Sequence, residues 1–259
     1  MFQYQRLLFK RTKTSLTTMD SRKIIQNDEF LRYVYLSHLQ KLSKAVENNL
    51  EATTPPKIIE IGAAGGITKE YTPEIVTLDV REDQGVDLII SEERLPFEDS
   101  SITGAIGKDV FHHIPNVEKH LNELNRVLIK GGKCAYLEPN WNWFSRIFYT
   151  LIHPEPWNPK QVSWQFHSED PMFSNQALPW IVFVRDCKLF EEKFSNLQVR
   201  VVEIPMVGLS YLISGGLNRR NRISSKLLIK LYKAEQKAPA YLRVFGLGRM
   251  IIITKSDNY

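Results

Sequence analysis

The chain is poor in cysteine. Its 259 residues include only Cys134 and Cys187, and neither belongs to a Cys-x-x-Cys pair. The sequence therefore offers no disulfide framework and no thiol-based redox or zinc motif. Two isolated cysteines are typical of a reducing compartment, and we expect a cytoplasmic protein.

Long apolar runs are also absent, because no segment approaches the roughly 18 apolar residues that a membrane-spanning helix needs. Histidine, aspartate and cysteine residues show no metal-ligand spacing, so the sequence predicts no metal site. Hydrophobic residues make up 43% of the chain, which is enough for one α/β core. We expect a basic tail at residues 1–26 and a single domain at residues 27–259.

A glycine-rich turn follows the first strand-like run, in the segment KIIEIGAAGG from Lys57 to Gly66. Glycine carries no Cβ, so Gly62, Gly65 and Gly66 let the backbone take positive φ angles and let a ligand approach closely. Seventeen residues after Gly62, Asp79 ends a second apolar run. A carboxylate at that point can accept hydrogen bonds from both hydroxyls of a ribose. Together these features predict a nucleotide site without naming the nucleotide.

Further motifs follow in order: an LPF segment with an acid, a strand-like run leading to two histidines, and a helix-like run before Gly-Gly. Their residues are Leu95, Pro96, Phe97 and Asp99; His112 and His113; and Gly131 with Gly132. In this order, and with the turn, they resemble the class I S-adenosylmethionine-dependent methyltransferases, particularly the broad subgroup acting on small molecules and lipids. The resemblance covers about half of the chain.

The resemblance implies S-adenosylmethionine (SAM) as the cofactor. Glu60 would approach its methionine end and Asp79 its ribose, while Val80 would touch the adenine. The implied cofactor-binding residues are Glu60, Gly62, Ala63, Gly65, Gly66, Asp79, Val80, Glu92, Lys108 and Asp109. The chain departs from the family pattern in two places. Ala64 replaces the middle glycine of the turn, with Gly65 beside it, and Glu92 stands in for the acid that many relatives place against the adenine.

Strand-like and helix-like runs alternate, which predicts an α/β fold with a parallel sheet. The resemblance specifies a Rossmann-like three-layer sandwich with a mostly parallel seven-stranded sheet and an antiparallel last strand. Ligands of such sheets bind beyond the carboxyl ends of the strands. The polar residues at or just past those ends are Glu60, Asp79, Lys108, Asp109, His112 and Glu138. We predict helices over about Asp28 to Asn49, Asn116 to Ile129 and Gln176 to Phe194.

An aromatic cap is predicted over about residues 140–180, after strand five. All five tryptophans lie there: Trp141, Trp143, Trp157, Trp164 and Trp180. It also holds the polar cluster His153-Pro-Glu155-Pro-Trp157. Aromatic faces beside carboxylates suit a sugar ring, whereas the same aromatics could equally form a small core of the cap. The cap loosely resembles those of methyltransferases associated with bacterial polysaccharide synthesis.

Basic charge is concentrated at the two ends. Met1 to Lys23 contributes a net charge of +5 and Gly215 to Arg249 contributes +8, whereas Ile24 to Ser214 carries −8. The second segment lies in a basic insertion at about residues 205–248, with an amphipathic run from Ser224 to Lys237. Such a helix either lies on an anionic membrane or covers the sheet edge. The tail has no acid before Asp20, which suits an organellar transit sequence, although we favour a simple basic tail.

Methyl transfer depends more on aligning the acceptor with the methyl carbon and the sulfur of SAM than on a catalytic group of the protein. His112 and His113 follow strand four, where acceptors bind in the family, and either imidazole could remove a proton from a hydroxyl or amine acceptor. The alternative is that one histidine only orients the helix or satisfies backbone groups.

We therefore expect SAM-dependent methyl transfer to a small-molecule, glycan or lipid-linked acceptor, with possible peripheral contact to an anionic membrane. Two alternatives come from other classes. An NAD-dependent oxidoreductase or epimerase would need a Tyr-x-x-x-Lys pair, which is absent, and a non-catalytic scaffold would fail to bind SAM. Nucleic acid is an improbable acceptor, because the Asn/Asp-Pro-Pro-aromatic motif that grips a flipped adenine is missing.

Overall fold

A computed structural model of the chain describes residues 18–47, 57–151, 155–167, 173–203, 208–218 and 223–256. Residues 1–17 of the predicted basic tail, and with them the question of a transit sequence, lie outside these ranges. So do His153 of the cap, Ile204 and the three arginines at positions 219, 220 and 222 of the insertion.

Seven strands form one sheet in the described residues. They are β1 (Ile58–Ile61), β2 (Val76–Asp79), β3 (Leu88–Ile89), β4 (Ile102–Lys108), β5 (Leu128–Pro139), β6 (Leu197–Glu203) and β7 (Gly248–Lys255). Their order is β3-β2-β1-β4-β5-β7-β6. Strands β1 to β5 pair in parallel, and β7 runs antiparallel to both β5 and β6. The predicted Rossmann-like α/β fold is confirmed, including the antiparallel last strand.

Helices cover both faces of the sheet. They are α1 (Thr18–Asn27), α2 (Glu29–Val46), α3 (Ile67–Tyr71), α4 (Val117–Val127), α5 (Trp143–Leu151), α6 (Leu178–Trp180), α7 (Cys187–Lys193), α8 (Leu209–Ser214) and α9 (Ser225–Gln236). Short 3-10 turns occur at Phe111–His113, Gly216–Asn218 and Ala240–Phe245, and a π turn at Ile181–Arg185. No helix among the described residues is long and apolar enough to cross a membrane.

Two apolar clusters lie on opposite faces of the sheet. Successive side chains of a strand point to opposite faces, so in β5 Cys134 belongs to one cluster and Ala135 to the other. The first cluster joins the sheet to α4 and the cap, and the second joins it to α2 and α9. This arrangement gives the three layers of the sandwich.

Three predicted boundaries were wrong. The helix predicted to Ile129 ends at Val127, because Leu128 is extended and pairs with Ile102 on β4. Apolar spacing cannot reveal this change, since Leu128 is an apolar, buried residue like Leu121 and Leu124 on the helix before it. The helix predicted over Gln176 to Phe194 is interrupted at Asp186, which has φ −106° and ψ 26°.

The third boundary is that of the basic tail. Helix α1 begins at Thr18, within the segment predicted as tail, and packs against α2. Ile24 and Ile25 contact the apolar cluster, while Arg22 donates to Gln84 O at 2.5 Å and forms an ion pair with Glu70. The prediction of a tail relied on the number of basic residues and did not consider the apolar Ile24 and Ile25 beside them.

Candidate functional site

The glycine-rich turn connects β1 to α3 through backbone conformations that disfavour side chains. Gly62 has φ 69°, and a Cβ there would lie 2.2 Å from Val110 Cγ2. Gly66 has φ 62°, and a Cβ there would lie 2.4 Å from Gln84 O. The expectation for Gly65 was wrong, because Ala64 and not Gly65 takes a positive φ, of 47°. A left-handed alanine costs roughly 1–2 kcal/mol, so the turn is strained at that point.

Asp79 ends β2 directly beside this turn and is 2% exposed. Its Oδ2 accepts a hydrogen bond from the Ala64 N–H at 2.8 Å, which helps to hold the strained alanine. Its Oδ1 accepts from the backbone N–H and the Nε of Arg81, both at 3.0 Å. Asp79 therefore shapes the turn, and a ribose at this carboxylate would share it with the half-exposed Arg81 side chain.

Glu60 is buried behind the turn, on β1. Its Oε1 accepts a hydrogen bond from Thr68 Oγ1 at 2.8 Å, but Oε2 has no hydrogen-bond partner among the described residues. Burial, helped by the charge of Asp79, raises the pKa of Glu60 to about 8. A buried carboxylate oxygen without a donor suits the ammonium group at the methionine end of SAM, so the residues present fit the implied cofactor.

The adenine-side residues lie next to Asp79. Glu92 is 6% exposed, and burial together with the charges of Asp79 and Glu93 raises its pKa to about 7. Val80 leaves 42% of its surface exposed just after β2. The fold thus brings Glu92, Asp79 and the turn together, as the sequence predicted, although their roles toward a cofactor stay predictions.

A cavity of about 370 Å³ lies beyond the carboxyl ends of β4 and β5. Its walls come from α2, α5, the cap and the insertion. Their residues include Leu31, Val34, Tyr35, His38, Leu137, Phe148, Tyr149, Tyr211, Tyr232 and Leu247. Its polar edge is formed by Lys108, Asp109, His112, His113, Glu138, Glu155 and Gln176. The lining is mostly apolar and aromatic, with charge at one end.

The cavity adjoins the cofactor side through a short chain of hydrogen bonds. Tyr35, in the cavity wall, lies 3.3 Å from Thr68 Oγ1 through its hydroxyl, and Thr68 donates to Glu60. Lys108 and Asp109, expected to line the methionine side, form an ion pair at the end of β4 and also line the cavity. Burial opposes ionisation of Asp109, but the Lys108 ammonium outweighs it and lowers the pKa of Asp109.

His112 is held between two carboxylates. Its Nδ1 lies 2.5 Å from Glu138 Oε2, and its Nε2 lies 3.2 Å from Glu155 Oε2. The other oxygen of Glu138 accepts from the N–H groups of Val110 and Phe111 at 3.0 and 2.8 Å. Burial favours a neutral imidazole, but Glu138 and Glu155 outweigh it and raise the pKa of His112 to about 10.

The pKa of His113 is shifted in the opposite direction from that of His112. Its Nδ1 donates to Phe173 O at 3.2 Å, and its Nε2 lies 3.9 Å from Glu155 Oε2. Burial and the positive charge of His112 lower the pKa of His113. Of the two predicted bases, His113 is therefore the one whose surroundings favour the neutral imidazole.

Glu138 and Glu155 are the site residues that sequence reasoning did not assign to the histidine pair. Glu138 lies at the end of a predicted strand, so its position in the sequence already marked it as a candidate site residue. Glu155 was interpreted as part of a sugar-binding cap, and its contact with His112 depends on how the cap folds over the sheet. No sequence spacing reveals that contact.

Comparison with protein families gives one match, over the middle of the chain. A family model described as a methyltransferase domain matches residues 67–136. The match contains Asp79, Glu92 and the histidine pair, and ends before Glu138. No curated protein sequence matches the chain.

Solved structures share the fold. A SAM-dependent methyltransferase from Archaeoglobus fulgidus superposes with a TM-score of 0.53 at 14% identity, over 87% of this chain and 94% of that one. A geranyl diphosphate C-methyltransferase from Streptomyces coelicolor A3(2), in complex with Mg²⁺, geranyl-S-thiolodiphosphate and S-adenosyl-L-homocysteine, has a TM-score of 0.50 at 12% identity, over 91% and 79%. The domain match over residues 67–136 agrees with the predicted methyltransferase class, and the solved structures confirm the fold.

Proposed function

We propose that the protein transfers a methyl group from SAM to a small molecule bound in the cavity of about 370 Å³. The observation that carries this proposal is the position of the cavity. It lies beyond the strand ends where such sheets bind ligands, and the Tyr35–Thr68–Glu60 hydrogen bonds connect it to the turn.

Each side of the site has a separate task. When bound, SAM supplies a methyl group already activated by the sulfonium. Glu60 pairs with the ammonium group, Asp79 binds the ribose, and Gly62 and Gly66 let the backbone approach closely. On the acceptor side, His112 and His113 contact the polar group that receives the methyl, while the apolar walls hold the rest of the molecule in line.

The acceptor that fits best has an apolar body and a polar end. Among the sequence-based candidates, the lining favours a lipid or lipid-linked molecule over a free glycan, because none of the five tryptophans, all of which lie in the described ranges, lines the cavity. Trp164 is 5% exposed and donates through Nε1 to Asp186, and Trp141 packs beneath the Arg249 guanidinium. These two aromatics therefore stabilise the cap and its surroundings and do not offer faces to a sugar in this cavity.

The insertion offers a surface that would bring such an acceptor to the cavity. Helix α9 buries Leu228 and Tyr232 against the second apolar cluster, and Tyr232 also lines the cavity. The lysines Lys226, Lys230 and Lys233 of this helix, and Lys237 directly after it, are exposed on the outer side. Leu227 is 60% exposed among them. We propose that this face rests on an anionic membrane on the cytoplasmic side, where the two free cysteines stay reduced.

The first test is calorimetric titration with S-adenosylhomocysteine, followed by incubation with methyl-labelled SAM and fractionated extracts of the producing cells. We expect micromolar binding and label in the lipid fraction. Label in the water-soluble glycan fraction would overturn the acceptor class. No binding by folded protein would overturn the enzyme proposal and favour a scaffold.

A further inference from the structure

We propose that His112, His113 and Glu155 form a binding site for one divalent transition-metal ion, of which Zn²⁺ is the best match. One ligand atom of each residue lies within 4.8 Å of the others. Glu155 Oε2 lies 3.2 Å from His112 Nε2 and 3.9 Å from His113 Nε2. In a tetrahedral zinc site with ligand bonds near 2.1 Å, ligand atoms are about 3.4 Å apart, so the spacing needs only small adjustments.

The hydrogen bonds of the two imidazoles already select the nitrogens that a metal would use. His112 Nδ1 donates to Glu138 Oε2 at 2.5 Å, and His113 Nδ1 donates to Phe173 O at 3.2 Å. Both Nε2 atoms consequently face Glu155. Metal-binding histidines characteristically donate their other N–H to a carboxylate or a backbone carbonyl in this manner.

The carboxylate ligand is oriented as well. Glu155 Oε2 accepts hydrogen bonds from Ser174 Oγ at 3.1 Å and from Gln176 Nε2 at 2.5 Å. Glu138 is 1% exposed and its second oxygen is satisfied by two backbone N–H groups. The two carboxylates give the cluster a negative charge that a divalent cation would compensate, with release of the proton on His112 Nε2.

Two histidines and one carboxylate leave at least one coordination position open, which is the composition of reactive rather than structural zinc sites. All three residues line the cavity, so the open position would face the acceptor. Deepening the proposed function, we assign to the metal the binding of an acceptor oxygen, so that His112 and His113 contact the acceptor through the metal. The sequence-based expectation of no metal site relied on ligand spacing in the chain, which does not bring this set together because Glu155 lies 42 residues beyond His113.

The test is titration of the full chain, stripped of metal with a chelator, with Co²⁺ and then Zn²⁺ in the absence of SAM. We expect one equivalent of Co²⁺ with visible ligand-field absorption, displaced by Zn²⁺. His113→Ala and Glu155→Gln should each weaken Zn²⁺ binding at least 100-fold, and Glu138→Gln about 10–100-fold. The matched control is His167→Ala, which removes an exposed histidine outside the cluster and should retain the wild-type affinity. Circular dichroism establishes that each variant is folded.

A folded wild-type protein without the Co²⁺ spectrum would overturn the metal site, as would unchanged Zn²⁺ affinity in the His113→Ala/Glu155→Gln double variant. Failure here is distinguishable from failure of the proposed function, because S-adenosylhomocysteine binding is measured separately. If the protein binds S-adenosylhomocysteine but no metal ion, only the metal site is overturned. If it binds the metal ion but no S-adenosylhomocysteine, the methyltransferase proposal is overturned.

Discussion

The cofactor side and the acceptor side of the site are built differently. The cofactor side takes its main residues from one short stretch, Glu60 to Glu92. Residues within this stretch contact each other directly, as Asp79 does when it accepts the hydrogen bond from the Ala64 N–H. The acceptor side combines α2, the histidine pair, the cap and the insertion. In the proposed function, the first side holds the nucleotide part of the cofactor, and the second side determines which acceptor is bound. The family match ends at residue 136, before both acceptor-side carboxylates.

The largest effect is expected when a side chain enters the cofactor turn. Gly62→Ala places a Cβ 2.2 Å from Val110 Cγ2 at a positive φ, which costs about 1–3 kcal/mol of strain. We expect S-adenosylhomocysteine affinity to fall more than 100-fold by calorimetry, with a lower melting temperature. Gly131→Ala, which introduces a side chain at a similar positive φ of 73° outside the turn, is the matched control, and an equal loss of affinity in that variant would contradict this explanation.

Reversing two charges on the acceptor side should leave the cofactor side intact. Lys226→Glu/Lys230→Glu removes two lysines from the exposed face of α9, each worth about 1 kcal/mol at an anionic surface. We expect vesicle binding to fall about 30-fold in sedimentation with phosphatidylserine vesicles. Lys160→Glu/Lys188→Glu carries the same charge change on exposed residues outside the insertion. An equal loss in that control would show that net charge alone drives binding.

The ribose contact is tested by two neighbouring substitutions. Asp79→Ala removes the carboxylate and should weaken S-adenosylhomocysteine binding by more than about tenfold, or 1.4 kcal/mol. Arg81→Ala frees Asp79 Oδ1 from its side-chain ion pair and should maintain or improve the affinity. A loss in Arg81→Ala as large as that in Asp79→Ala would mean that the ion pair, and not the carboxylate alone, holds the ligand.

The smallest expected effect is a pH dependence of S-adenosylhomocysteine binding, which tests Glu60 separately from the other cofactor-side residues. Because the pKa of Glu60 is raised to about 8, the free protein holds a proton there at pH 7 that an ammonium ligand must displace. We expect S-adenosylhomocysteine affinity to rise several-fold between pH 6 and 7.5, and Glu60→Gln to remove this rise.

The same group links stability to pH. Its pKa is higher in the folded protein than the ordinary value of about 4.5, so the folded state binds more protons and stability falls as pH rises from about 4.5 to 8. Glu60→Gln should therefore melt progressively higher than the wild type over this range. A difference in melting temperature that does not change with pH would refute the shifted pKa.

The same contrast explains what the sequence could predict. The turn and Asp79 are close in the chain, and local chemistry with strand periodicity was enough to bring them together. Glu92 was added by the resemblance to the methyltransferase family. The contact of Glu155 with His112 requires the cap to fold back across β5, and that path depends on many weak packing contacts rather than on a motif. The helix boundaries at Leu128 and Asp186 could not be predicted for a related reason. The apolar spacing of the sequence continues past these residues although the backbone changes conformation there.

The most direct test of the central claim is a crystal structure of the full chain with S-adenosylhomocysteine. We predict that its ammonium lies within hydrogen-bonding distance of Glu60 Oε2, its ribose hydroxyls at Asp79, and its sulfur toward the cavity lined by His112 and His113. A ligand bound inside that cavity, with Glu60 and Asp79 uncontacted, would contradict the division of the site into a cofactor side and an acceptor side.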